Sequence, residues 1–154
     1  MEKTATISEC GLYRYDLTRR WADGGTTCAF VGLNPSTADA ELDDPTIRRC
    51  IGFARDWGHS RLVMLNAYGY RATNPKEMKQ AADPIGPQND NFLVWWFNSC
   101  KLVVAAWGNN IDIGRQKHIV ELFPWMKILQ LTKGGCPGHP LYLRKNMKPV
   151  EWVR

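Results

Sequence analysis

Four short apolar runs separated by helical patterns predict an α/β protein: three layers, α/β/α, around a central four-stranded, mainly parallel sheet. Three observations carry that class. The runs are strand-length and continuously apolar, the mark of strands buried on both faces. The intervals between them place apolar residues at helical spacing behind capping dipeptides such as Asp44-Pro45 and Asn74-Pro75. The chain has 154 residues, 44% hydrophobic and 23% charged, which fits one compact domain over 1–154 and excludes wholesale disorder.

Taken in order, residues 11–21 alternate loosely (Leu12, Tyr13, Tyr15, Leu17) and then meet Asp23-Gly24-Gly25, a turn signal. They read as a β-hairpin or edge strand leading into the first core strand. That core strand is Cys-Ala-Phe-Val-Gly-Leu at 28–33, stopped by Asn34-Pro35-Ser36. Asp44 and Pro45 open a helix carrying Ile47, Cys50, Ile51, Ala54 and Trp57, closed by Gly58. Residues 61–66 form the second strand, and Asn74-Pro75 begins a short helix. A further helix follows Pro87 and runs to about Asn98. Residues 101–107 make the third strand, ended by Gly108-Asn109-Asn110. A helix around 114–122 and a fourth strand at 126–131 complete the pattern.

Composition narrows the class of function. No apolar run approaches the roughly 18 residues of a membrane helix, and the first residues carry acids instead of the apolar stretch of a secretory signal. A cytoplasmic protein is expected. Cys10, Cys28, Cys50, Cys100 and Cys136 include no C-x-x-C pair, so neither a zinc ribbon nor an iron–sulfur cluster is expected, and no metal or other cofactor is read from the chain. The thiols read as reduced and mostly buried. Of the net +5, the C-terminal part holds the excess: Arg115, Lys117, Lys127, Lys133, Arg144, Lys145, Lys148 and Arg154 against Glu121 and Glu151. Such a face suits an anionic partner, although solvated lysines alone would produce the same count.

In a parallel α/β sheet, ligands bind beyond the carboxyl ends of the strands. The polar residues there are Asn34, Asn66, Asn109 with Asn110, and the loop 132–139, which should open onto one face. Pro35 sets the turn exposing Asn34, whose carboxamide can orient water but cannot take a full proton. Asn66 offers donor and acceptor together, suited to a nucleobase edge, and Tyr68 offers stacking surface. His139 follows a Gly/Pro-rich loop and precedes Arg144 and Lys145, an arrangement shaped for close approach to a polymer. His59 and His118 lack that setting and read as surface or packing residues.

These pieces, in this order, carry a family resemblance. Gly32-Leu-Asn-Pro-Ser36 resembles the first motif of the uracil-DNA glycosylase superfamily, particularly its Asn-bearing, mismatch-specific branch. Residues 61–71 are similar to the second strand, whose terminal Asn reads uracil, and 101–110 to the strand ending in Trp-Gly. The run at 128–132 with His139-Pro140 resembles the last strand and His-Pro loop. Gly-Leu-Asn-Pro-Ser-Thr-Ala-Asp with Asp-Asp-Pro-Thr also resembles a bacterial and phage domain of unknown function within that superfamily. The sequence departs from the best-studied branch at Asn34, where that branch has a catalytic Asp, and at Ser36-Thr37, where it has Tyr-His.

The resemblance implies a uracil-DNA-glycosylase-like domain that binds a flipped uracil, mismatched or modified base and hydrolyses its N-glycosidic bond. Asn34 and His139 would be catalytic, and Asn66, Tyr68, Pro35 and Ser36 would hold the base. Lys133, Arg144 and Lys145 would hold the nucleic-acid backbone. Asp39, Asp43 and Asp44 have no counterpart; the missing base is one role for them, binding a modified substrate another. The partner is nucleic acid, DNA foremost, or a nucleotide; no membrane is involved and a monomer is expected. A non-catalytic base-binding module and a hydrolase of free nucleotides are the competing readings.

Overall fold

The computed structural model describes residues 1–154. Strand β3 (Thr27–Gly32) lies at the middle of the sheet because Cys28, Ala29, Phe30 and Val31 leave neither face polar; all four are fully buried. It pairs in parallel with β4 (Arg61–Asn66) on one side and β5 (Leu102–Ala105) on the other. Beyond β5 lies the parallel β6 (Lys127–Ile128), far shorter than the 126–131 run predicts.

The sheet continues past these strands. β1 (Glu2–Ile7) runs antiparallel to β2 (Arg14–Arg20), β2 antiparallel to β4, and β7 (Val150–Glu151) antiparallel to β6. The order is β1-β2-β4-β3-β5-β6-β7. The expected four-stranded, mainly parallel sheet is therefore incorrect: the sheet is mixed and has seven strands. The cause lies in the flanks. β1 reads Glu-Lys-Thr-Ala-Thr-Ile with most residues exposed, so ladder hydrogen bonds hold it and no apolar period announces it. Nor is β2 an edge strand or the hairpin partner of β3. It sits between β1 and β4, and the turn at Gly24 (φ +72°) carries the chain to β3 on the far side of β4.

Helices cover both faces. α1 (Pro45–Asp56) starts where Asp44 accepts from the Ile47 amide at 2.8 Å and Pro45 fills the first turn. It buries Ile47, Cys50, Phe53 and Ala54 against Leu17, Phe30, Leu62 and Met64. Gly58, at φ +86°, ends it, a left-handed position that glycine adopts without strain. The opposite face carries α2 (Pro75–Gln80), α3 (Asn89–Ser99) and α4 (Ile113–Leu122), whose Met78, Leu93, Trp96, Phe97 and Ile119 pack on Val31, Val63, Leu65 and Val103.

One irregularity positions the site. Between β1 and β2 the register slips: Thr6 opposes Asp16 but Ile7 opposes Arg14, leaving Tyr15 as the extra residue of a bulge. Tyr15 stacks on Phe92 and Asp16 accepts from Trp96 Nε1 at 2.9 Å, so both face α3. Arg14 is thereby turned to the α1 face, where it donates to Ala38 O.

Candidate functional site

A cavity of about 440 Å³ opens beyond the carboxyl ends of β3, β4 and β5. Each strand contributes through its last residue or the loop that follows it. Gly32 and Asn34 come from β3, Asn66 from β4, Trp107 to Asn110 from β5, and Thr132, His139 and Tyr142 from the chain after β6. Asp44, Thr46 and Ile47 enter from the start of α1, and Arg14 from β2.

Asn34 serves the loop and the cavity together. Its Nδ2 donates to Ala72 O at 2.8 Å and to Pro35 O at 3.2 Å, tying the β3 loop to the β4 loop and leaving Oδ1 as the open group. Asn66 is 3% exposed, and its Nδ2 is an unpartnered buried donor. Gly32 permits this placement, because a Cβ there would lie 3.0 Å from Asn66 Oδ1. A buried donor without an acceptor costs free energy, so a ligand acceptor is the natural complement.

His139 precedes a 3-10 turn, Pro140–Tyr142, and its Nδ1 accepts from the Leu141 amide at 3.2 Å. That bond fixes the neutral tautomer with its proton on Nε2. Burial pushes the imidazole pKa below its ordinary value, opposed by the charge of Asp44. His139 is thus a neutral donor at the cavity wall. Asp44 is the one carboxylate among the lining residues; capping Ile47 engages its Oδ1 alone. Tyr142, 85% exposed with its ring 5.4 Å from that of His139, supplies an aromatic surface at the mouth.

Asn34, Pro35, Ser36, Asn66 and His139, spread widely in sequence, therefore share one cavity. Four expected site residues do not line it. Tyr68 is buried among α3-face side chains, and its hydroxyl accepts from the Asp112 amide, so it borders a separate depression with Asp90 and His118. Its expected place beside Asn66 is corrected: i, i+2 spacing would put the two on one side, but β4 ends at Asn66, the alternation stops there, and Tyr68 packs on the α3 face with Ala67. Lys133 and Arg144 are exposed outside the cavity, and Lys145 edges a groove with Arg48 and Arg49.

Sequence reasoning missed Arg14, Trp107 as a wall, and Tyr142. Arg14 carried no signal, because a polar residue in a loosely alternating strand reads as outward-facing and only the bulge reverses it. Of the three unplaced acids, Asp39 accepts from the Glu41 and Leu42 amides, Asp43 pairs with buried Arg19 at 2.8 Å, and Asp44 alone reaches the cavity. His59 and His118 bond to Thr26 and Asp90, away from the site. No cluster of three or more His, Cys, Asp or Glu is arranged to hold a metal ion, and all five cysteines are free. No helix is long and apolar enough to cross a membrane.

Fold and site together define a mixed α/β protein with a polar, donor-rich cavity at the strand ends. Residues 14–141 match the family described as "Protein of unknown function (DUF1643)", and the chain belongs to that family. No curated protein and no solved structure matches the chain.

Proposed function

We propose that the cavity binds a nucleobase and that the protein hydrolyses its N-glycosidic bond, as the resemblance to uracil-DNA glycosylases implies. One observation carries the reading: Asn34, Asn66 and His139, from three separate stretches of the chain, converge on one cavity with an unused amide donor and a neutral imidazole N–H. Asn66 reads the base edge through Nδ2. As the C1′–N bond breaks, its electron pair passes to the base, and His139 Nε2–H stabilises the oxygen on which that charge develops. Water attacks C1′, oriented by Asn34 Oδ1. Asp44, the lining carboxylate, takes its proton in place of the acid that Asn34 lacks.

The partner is DNA presenting a flipped base, entered at the cost of a few kcal/mol of unstacking. Lys133, Arg144 and Lys145, exposed around the cavity loops, hold phosphates without reading sequence. The protein acts in the cytoplasm, where five unpaired thiols stay reduced. A base-binding module without chemistry is the second reading. It is favoured by Asn34, whose amide is engaged as a loop staple.

The test is single-turnover incubation with oligonucleotides containing uracil, mismatches or modified bases, followed by mass analysis. Base release by the wild type is expected, falling about 10²–10³-fold in His139→Ala while DNA affinity changes little. Binding without release from any substrate leaves the second reading standing.

A further inference from the structure

The chain buries three arginines, Arg14, Arg19 and Arg115. Two are neutralised inside the protein: Arg19 by Asp43 at 2.8 Å, and Arg115 by Asp90 at 2.6 Å. Arg14 is different. At 3% exposed it has no carboxylate at ion-pair distance, and its one side-chain hydrogen bond runs from Nη1 to Ala38 O at 2.8 Å. Its Nε is an unpartnered buried donor. The Nε/Nη2 edge, the side of a guanidinium that grips two oxygens in parallel, is therefore without a protein partner.

The bulge at Tyr15 turns Arg14 onto the α1 face, where it lines the same cavity as Asn66 and its orphaned Nδ2. Two unsatisfied buried donors on adjacent strands thus meet one cavity. Desolvation lowers the Arg14 pKa to about 10, so at neutral pH it remains a cation. Asp44 and Asp16 act on Arg14 through space without contacting it, so its Nε/Nη2 edge remains open to an anion from outside.

We propose that Arg14 is an oxyanion subsite of the cavity and takes the phosphate of a bound nucleotide in bidentate fashion. The phosphate has two sources, the monoester of a free nucleotide or a phosphodiester beside a flipped base, and Arg14 presents the same fork to either. The assignment concerns binding and holds whether or not a bond is cut.

Isothermal titration compares 2′-deoxynucleoside 5′-monophosphates carrying adenine, cytosine, guanine, thymine or uracil with the matching nucleosides. In parallel, a single-stranded oligonucleotide is titrated with inorganic phosphate as competitor. At least one nucleotide is expected to bind about tenfold or more tighter than its nucleoside. Arg14→Gln should abolish that preference. Arg14→Lys, which keeps charge but lacks the fork, should lose most of it and serves if the Gln variant does not fold. Tight binding of the monophosphate assigns the free nucleotide as source. Binding of the strand alone, relieved by inorganic phosphate and lost in Arg14→Gln, assigns the phosphodiester. Wild-type protein that binds nucleosides as well as nucleotides, deoxyguanosine included, makes the fork a base reader and overturns the proposal. So does wild-type protein that binds none of the probes, or a variant that retains the full phosphate preference.

Discussion

Asp43→Asn tests how the loop that delivers Asp44 is held. Arg19 is fully buried, and its Nε meets Asp43 Oδ1 at 2.8 Å, while Nη1 donates to Thr18 O at 2.8 Å and Nη2 to Asp39 O at 2.7 Å. Replacing the carboxylate by a carboxamide preserves shape and removes the only counter-charge at ion-pair distance. Breaking one side of a buried pair costs about 3–5 kcal/mol, because the remaining ion stays desolvated. Asp43 is 20% exposed and Arg19 keeps its carbonyl acceptors, so the cost falls below that range, at about 2–3 kcal/mol. At about 2–4 °C per kcal/mol for a domain of this size, the melting temperature should fall by about 5–10 °C. Glu2→Gln is the control, since it removes an exposed pair with Arg20 worth well under about 1 kcal/mol. Urea unfolding followed by tryptophan fluorescence gives both values. If the two variants are equally stable, the buried pair does not anchor the loop.

Phe53→Ala removes one ring of the Phe30, Phe53 and Trp57 cluster on the α1 face, and urea unfolding should show a loss of about 3–4 kcal/mol; under about 1 would contradict the packing. Burial favours neutral His139, so its contribution to stability is full above about pH 6.5, the unfolded value, and is lost as pH falls through the lower folded value. His59 is shifted the same way by burial, so His139→Gln should reduce, without abolishing, the fall in melting temperature between neutral and mildly acid pH; an unchanged fall would refute the assignment. Among the thiols, exposed Cys10 has a pKa lowered chiefly by its bond to Ser8, whereas burial raises those of Cys28 and Cys50. A disulfide exchange reagent should therefore modify Cys10 first and reach Cys28 and Cys50 only on unfolding, an order that peptide mapping reads directly.

What the sequence determined by itself was local and periodic. Continuous apolar runs marked β3, β4 and β5, whose residues are buried on both faces. Asp44-Pro45 and Asn74-Pro75 marked helix starts, because a capping oxygen and a fixed φ act over three residues. Strand ends followed by polar loops indicated Asn34, Asn66 and His139, which share one cavity. What only the tertiary structure decided depends on pairing across long separations. β1 and β7 exist because neighbouring strands supply hydrogen-bond partners, and their mostly exposed side chains leave no apolar period. Tyr68 follows Asn66 by two positions but faces the α3 side, where its hydroxyl meets the Asp112 amide. Arg14 reaches the cavity only because a one-residue slip against β1 reverses the side it faces, and register is a property of two strands together, not of either one alone.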